Sequence, residues 1–307
     1  MTFSPQRYRQ IAVVALAALA VIIVTGAAVR LTGSGLGCDD WPNCSSERLI
    51  DVSSKHAAIE QVNRLFTGVV AAAVIAAVLG AYRRRPRRTD LVVLAWLLVV
   101  GVIANAVLGG ISVLVDLHPL AVQGHLLLSM ALIVAGTTLV RRSGEPDGVA
   151  PTVVVSGPTR RLVQLQFLLA CSAIFTGTLV TGSGPHAGDE NAERLGFDIS
   201  AIARVHAVAV LTTIAITVLI VWRIRSVRRD REALQGALAS WMFVGVLQAA
   251  LGYVQYFSDV PALLVGIHVA GATAVMTVTT VVLLDTSRAA NPLERSSAPM
   301  VGAAVGD

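Results

Sequence analysis

Residues 57–82 read AAIEQVNRLFTGVVAAAVIAAVLGAY, and from residue 66 onward this segment carries no charged side chain. An apolar run of about 20 residues is long enough to cross a hydrocarbon core of about 30 Å as a helix. Because a spanning segment must satisfy its own backbone hydrogen bonds, and no alternating barrel pattern is present, the sequence predicts an all-α integral membrane protein. Seven further runs bring the prediction to eight transmembrane helices, at residues 11–32, 90–112, 120–140, 162–182, 200–222, 237–256 and 262–285.

The composition agrees with a membrane protein and excludes a soluble domain of this size. Of the 307 residues, 55% are hydrophobic and only 14% are charged, and the mean hydropathy is +0.72. The first run is expected to be a retained helix, since no small-residue cleavage site follows it and leads into a soluble domain.

The basic residues predict how the chain crosses the membrane. Basic linkers alternate with linkers that are not basic, and a bacterial-type cell membrane keeps its basic linkers on the cytoplasmic side. Both termini are therefore expected in the cytoplasm, and the net charge of +5 reflects this rule. Nucleic-acid binding is disfavoured, because the basic residues are dispersed and no binding motif accompanies them. The basic linkers are 82–88, 141–142 with Arg160 and Arg161, and 223–231; the others are 33–56, 113–119, 183–199 and 257–261.

The two halves of the chain resemble each other. A shift of 143 positions places Asn63 on His206 and His125 on His268, without a gap over three helices. The first helices match with a small offset, TGAAVRLTGSG (25–35) against TGTLVTGSG (176–184). The expected fold is two four-helix bundles related by a pseudo-twofold axis along the membrane normal.

The repeat sets the predicted domain boundaries. The N-terminal bundle covers 1–142, a Gly-, Pro- and Ser-rich cytoplasmic linker covers 143–160, and the C-terminal bundle covers 161–286. Residues 287–307 are small and polar and are expected to be a disordered cytoplasmic tail.

Three of the six histidines, His125, His206 and His268, lie inside predicted helices. His206 and His268 each lie about six residues, or about 9 Å, into helices of one direction. Two imidazoles at one depth in one bundle can hold an iron from both faces, as in a bis-histidine haem. The alternatives are hydrogen bonds to neighbouring helices and a zinc site; the latter lacks a third ligand, since Cys171 lies elsewhere.

The first half departs from this symmetry. It retains His125, but Asn63 stands where the second half has His206. His56, Glu60 and Asn63 share one helix face, because they are spaced four and three residues apart. A site with one strong axial ligand leaves room for chemistry, so the pattern predicts a reactive pocket in the first half and a cofactor in the second.

The outer loop between the first two helices carries two cysteines, Cys38 and Cys44. A disulfide is expected there, because the predicted side is oxidising and a loop with Gly and Pro can bring the sulfurs together. Two free thiols, or a dithiol that cycles during turnover, are the alternatives.

Three motifs, VRLTGSGLGCDDWPNC (29–44), IEQVNRL (59–65) and GHLLLS (124–129), together with the two later histidines, resemble the haem A synthase family. The resemblance covers about residues 11–285. It implies oxidation of the C8 methyl of haem O to a formyl group by successive hydroxylations, for the assembly of haem A-containing terminal oxidases.

The resemblance also implies a role for each matched residue. His206 and His268 would be the axial ligands of haem b, His125 would bind the substrate haem, and Glu60 would be the catalytic carboxylate. Cys38 and Cys44 would form the loop's cysteine pair. Many members of the family have His where this chain has Asn63, which puts two-histidine binding of the substrate haem in doubt; His56, about two turns nearer the surface, is a weaker substitute.

Three arginines, Arg30, Arg64 and Arg204, lie near the outer ends of their helices, at the depth of the expected haems. They are candidates to pair with haem propionates, Arg30 and Arg64 at the substrate haem. The alternative for all three is snorkelling to lipid headgroups. A structural ion pair with Arg64 is the alternative role for Glu60.

The partners expected are haem O as substrate, haem O synthase, terminal oxidase assembly factors, membrane lipid and an electron donor that no motif identifies.

Two other functions remain open from the residues alone. A non-catalytic diheme b-type electron carrier would have equal bis-histidine sites, which Asn63 opposes. A repeat-built transporter would have polar residues at mid-membrane, whereas here they cluster in the outer third.

Overall fold

The computed structural model describes residues 2–289, and within them eight long helices confirm the predicted number. Each helix is long and apolar enough to span a membrane. The helices are α1 (Pro5–Leu31), α2 (Lys55–Arg83), α3 (Thr89–Leu114), α4 (Pro119–Ser143), α5 (Gly157–Ser183), α6 (Ile199–Ile224), α7 (Arg228–Phe257) and α8 (Ala262–Leu284).

The helices pair as two bundles. In the first half α1 packs on α2 and α4, and α3 packs on α4; in the second, α5 packs on α6, and α7 on α8. The halves meet along α1, α4, α5 and α8, with α8 against both α1 and α4. This arrangement confirms the predicted all-α architecture of paired four-helix bundles.

The turns before α4 and α8 repeat residue for residue. Asp116 and Leu117 have φ of 52° and 58°, and Asp259 and Val260 have φ of 57° and 55°. Such left-handed backbone is costly for side chains with a Cβ, so its occurrence at both equivalent pairs is strong support for the internal repeat. A hydrogen bond closes each turn, from Leu117 N–H to the Ser112 carbonyl and from Val260 N–H to the Gln255 carbonyl.

The helices that carry the site begin at defined caps. Ser54 caps α2 by accepting from Ala57 N–H at 3.1 Å, and Asp198 caps α6 by accepting from Ala201 N–H at 2.7 Å. The Ser200 hydroxyl and the Ala201 N–H hold the pKa of Asp198 below its usual range. These caps place the polar residues of α2 and α6 within the first three turns, at one end of the bundles.

The segment between the halves is partly structured. Thr152–Val153 (β1) pairs antiparallel with Ser287–Arg288 (β2), and Asp230 on α7 accepts from Ser156 N–H at 2.8 Å. The helix α7 begins at Arg228, nine residues before the predicted apolar run. The prediction left out these residues because many of them are charged. The short strand β2 falls at the start of the predicted tail, and residues 290–307 of that tail lie outside the described residues.

Candidate functional site

The second half of the chain brings its two predicted axial histidines together. The rings of His206 on α6 and His268 on α8 have centroids 6.5 Å apart and planes inclined by 70°. A metal ion bonded to one nitrogen of each ring at about 2 Å fits a gap of this size. The Nδ1 of His268 is buried and has no hydrogen-bond partner among residues 2–289.

Thr176 on α5 sets the orientation of His206. Its hydroxyl donates to the Ser172 carbonyl at 2.9 Å and lies 3.2 Å from His206 Nδ1. When Thr176 gives its one hydroxyl proton to the backbone, the Nδ1–H of His206 is the donor to Thr176 Oγ1. The tautomer that follows leaves the Nε2 of His206 free to bind a metal.

Glycines let both rings pack closely against neighbouring helices. A Cβ at Gly177 would lie 3.1 Å from the Cε1 of His206, and a Cβ at Gly252 would lie 3.1 Å from the Cε1 of His268. A side chain at either position would require the adjacent ring to shift by a few tenths of an ångström, so these two glycines belong to the site.

The first half retains one such histidine, which also packs on a helix glycine. His125 on α4 has its Nδ1 at 3.0 Å from the Asn105 carbonyl, and a Cβ at Gly109 would lie 2.9 Å from its Cε1. The carbonyl only accepts, so Nδ1 carries the proton and Nε2 is available as a ligand. Gly109 and Gly252 are equivalent in the repeat, as are His125 and His268.

Asn63 takes the place of the second histidine in the first half. Its Oδ1 accepts from the Thr25 hydroxyl at 2.8 Å. The same threonine in the second half, Thr176, contacts His206. A Cβ at Gly26 would meet no atom within 4 Å, whereas its equivalent Gly177 touches the His206 ring. The shorter amide therefore leaves open space where the second half has an imidazole.

Glu60 lies one turn before Asn63 on α2 and has an exposed fraction of only 5%. Its Oε2 accepts from the Cys38 N–H at 2.8 Å, and its Oε1 accepts from the Nε and Nη2 of Arg64 at 3.0 and 2.7 Å. Both carboxylate oxygens are therefore engaged, and the ion pair with Arg64 that the sequence offered as an alternative is present.

Arg64 fastens the outer loop to α2. Its Nη1 donates to the carbonyls of Asp40 and Asn43 at 3.0 and 2.9 Å, while the rest of the guanidinium holds Glu60. The loop also packs Trp41 onto Gly110 of α3. The loop thus covers this end of the first bundle.

Cys38 and Cys44 form a disulfide, with Cα atoms 4.4 Å apart, as expected. Both residues are buried, and the Asp39 N–H donates to the Cys44 carbonyl across the bridge. Cys171 is the one free cysteine among residues 2–289. The disulfide holds in place the Cys38 N–H, which donates a hydrogen bond to Glu60.

The remaining polar candidates are dispersed. Arg30 is half-buried, donates to the Thr181 carbonyl at 2.8 Å and so joins α1 to α5. Arg204 is exposed. His56 has its Nδ1 2.9 Å from the Ser34 hydroxyl, at the outer loop.

Sequence reasoning missed the residues that orient the histidines. These are the threonines and glycines of the two Thr-Gly pairs and the helix glycines; only the repeated Thr-Gly within the aligned first helices hinted at them. They are Thr25, Gly26, Gly109, Thr176, Gly177 and Gly252.

The donor set fits a haem iron better than other metals. No group of three or more His, Cys, Asp or Glu that could hold a metal ion occurs within residues 2–289. A structural zinc ion needs four such ligands, whereas a haem supplies four nitrogens itself and asks the protein for one or two. Two facing imidazoles with glycines behind them meet that requirement.

Comparison with known proteins identifies the family to which this chain is similar. A family model described as cytochrome oxidase assembly protein (COX15-CtaA) matches residues 9–61 and 48–188, more than half of the chain. That span includes Glu60, Asn63, His125 and the disulfide loop.

Similar curated proteins cover most of this chain. A protein named Heme A synthase from Halalkalibacterium halodurans is 25% identical over 260 residues, covering 81% of this chain and 84% of its own. Proteins of the same name from Shouchella clausii and Listeria welshimeri are 27% and 26% identical, covering 76% and 79% of this chain and 81% and 83% of their own. With its family model matched over more than half of its length, the chain is a multi-pass membrane protein that belongs to the cytochrome oxidase assembly protein family, and the predicted resemblance to haem A synthases is confirmed.

Proposed function

We propose that this protein is a haem A synthase, an oxidoreductase that converts the C8 methyl of haem O to a formyl group by successive hydroxylations. The observation that carries the proposal is the difference between two equivalent sites in one chain. The second half pairs His206 with His268, whereas the first half offers His125 and the amide of Asn63. The similar proteins named Heme A synthase support the same activity.

The second-half site would hold haem b. His206 and His268 would be its axial ligands, with Thr176 fixing the His206 tautomer and Gly177 and Gly252 admitting the rings. When bound there, a bis-histidine haem supplies one-electron transfer. The protein contributes ligand orientation and an apolar surrounding.

The first-half site would bind haem O as substrate. His125 would bind through Nε2, because the Asn105 carbonyl holds its Nδ1 proton. Asn63, on α2, would lie opposite His125 and would not be a strong ligand of the haem iron. Because Thr25 satisfies its Oδ1, the group that Asn63 has left to donate is Nδ2.

Glu60 is our candidate for the carboxylate that acts at the substrate methyl group. It shares a helix face with Asn63 and is held by the Cys38 N–H and by Arg64. A carboxylate fixed at both oxygens keeps a defined position, which a group that holds or delivers a proton beside the substrate methyl group requires. Arg64 and Arg30 are the candidate partners of the haem O propionates.

The proposed place in the cell follows from the chemistry. Haem O would come from haem O synthase, haem A would pass to terminal oxidase assembly factors, and a separate electron donor or acceptor would serve the haem b. The diheme carrier, which needs two equal sites, is not favoured by Asn63 or by the similar proteins.

The test is haem extraction and chromatography from a bacterial host that makes haem O and lacks a haem A synthase of its own. The wild-type protein is expected to accumulate haem A, and Glu60→Gln to stop at haem O or at a hydroxylated haem. Glu47→Gln is the matched control, because Glu47 is an exposed carboxylate of the outer loop that precedes α2. If folded wild-type protein carries haem b and leaves haem O untouched, the enzyme assignment is wrong.

A further inference from the structure

A basic cavity of about 480 Å³ opens between the two halves, at the end where α1 and α5 begin and α4 and α8 end. Residues of all four helices line the cavity, together with residues of the segments that follow α4 and α8. The arginines that line it are Arg9, Arg141, Arg142, Arg160 and Arg288. This is the end of the molecule opposite to the disulfide loop and the proposed haem sites.

The carboxylates of the cavity do not balance its arginines. Asp285 pairs with both Arg141 and Arg288, the latter at 3.0 Å. The second lining carboxylate, Glu145, pairs with Arg142 at 3.3 Å. Five arginines against two carboxylates leave a surplus of three positive charges in one cavity.

Arg9 and Arg160 carry most of this surplus. Among residues 2–289, no carboxylate oxygen lies within 4.0 Å of either guanidinium group. Both arginines are exposed. Like charges gathered in one cavity repel each other, unless an anion lies between them. Guanidinium groups bind phosphate oxygens with two parallel hydrogen bonds, so a phosphate group is an anion that suits this set.

The cavity also has an apolar side. Leu283 and Leu284 at the end of α8 line it together with the arginines. Because the helices here are membrane spans, their ends lie at the depth of lipid headgroups. A free phosphate ion would make no apolar contact with the two leucines. A phospholipid has both a phosphate for the arginines and acyl chains for the leucines.

We propose that this cavity binds the phosphate of an anionic phospholipid headgroup and thereby joins the two bundles. Arg9 and Arg141 belong to the first half, and Arg160 and Arg288 follow the linker, so one headgroup would be held by both halves. Basic pockets between transmembrane helices bind anionic lipid headgroups in other membrane proteins. The inference is independent of the proposed enzyme activity.

The test is lipid binding to the full-length, delipidated protein in detergent, measured by native mass spectrometry. Phosphatidylglycerol, phosphatidylcholine and inorganic phosphate are titrated separately. We expect phosphatidylglycerol to bind in preference to both others. The double variant Arg9→Gln/Arg160→Gln is expected to weaken its binding at least about tenfold, since each arginine near a headgroup contributes substantially.

The matched control is Arg7→Gln/Arg161→Gln. It removes the same charge from the same two helices, but neither residue lines the cavity. The control is expected to bind phosphatidylglycerol as the wild type does. Equal loss in both double variants, equal binding of phosphatidylcholine, or binding of inorganic phosphate without preference for the lipid would each overturn the proposal. Size-exclusion profiles and thermal unfolding without lipid verify that all variants are folded.

Discussion

Thr25 donates its hydroxyl to the Oδ1 of Asn63 at 2.8 Å, at the place where Thr176 contacts the Nδ1 of His206 in the other half. The two threonines begin the same Thr-Gly pair of the repeat. The partner that holds a histidine in one half is therefore retained in the other half, although the histidine is not. The site that Asn63 occupies has the framework for an imidazole and carries an amide instead.

Replacing Asn63 with histidine is expected to restore the missing ligand. Thr25 would accept from the new Nδ1–H, and the space beside Gly26 would admit the ring. With haem O bound at His125, the absorption and electron paramagnetic resonance spectra should change from a high-spin component to a low-spin, two-histidine one. The measurement compares the purified variant with wild type at equal haem content.

A control separates ligation from a general change in the pocket. Asn63→Gln keeps the amide and adds a methylene, so it should leave the spin state unchanged. A high-spin component that survives in Asn63→His, with the variant folded and loaded, would contradict the proposed geometry of the first-half site.

Removing either histidine of the second half is expected to release haem b. His268→Ala leaves one axial ligand, and the retained haem should fall several-fold and turn high-spin. Pyridine haemochromogen analysis gives the haem per protein. His118→Ala is the control, because its side chain is 43% exposed and lies at the start of α4, outside the paired rings. Equal haem content in the His268→Ala and His118→Ala variants would show that His268 is not a haem ligand.

Arg64→Ala should detach the disulfide loop from α2. It deletes the ion pair to Glu60 and two bonds to loop carbonyls, and it leaves a buried carboxylate with only the Cys38 N–H. The expected loss is about 2 kcal/mol of stability, below the value for a fully buried pair because Arg64 is partly exposed. Thermal unfolding measures it, and Arg48→Ala, at a 60% exposed loop arginine, should shift Tm far less.

Much of the architecture was predictable from the sequence, and the reasons are physical. Apolar runs long enough to span a membrane can only be helices, so both their number and their order followed. The internal repeat in the sequence places His125 on His268. The pairing of Cys38 with Cys44 followed from a short loop in a predicted oxidising setting.

The fine structure of the site was not predictable to the same degree. The two contacts of Glu60 depend on how the loop folds back, which brings the Cys38 N–H to a residue 22 positions away. Likewise, Gly177 and Gly252 read as ordinary small residues of a membrane helix, since only the packing of α5 against α6 and of α7 against α8 brings them to the rings. The strand pair of β1 with β2 joins segments more than a hundred residues apart, and no local pattern encodes it.

Gly26 and Gly177 hold equivalent positions in the repeat, so a substitution at one is the control for the same substitution at the other. A Cβ at Gly177 would lie 3.1 Å from the His206 Cε1, whereas a Cβ at the equivalent Gly26 would meet no atom within 4 Å. Both glycines lie inside helices, where alanine is favoured by about 1 kcal/mol. Gly26→Ala should therefore leave the spectrum of haem b unchanged and raise Tm slightly. Gly177→Ala has the same backbone advantage but must displace the His206 ring, so it should lower haem b retention or shift its low-spin signal. If the two variants behave alike in both haem content and spectrum, close packing of Gly177 on His206 does not position the ligand.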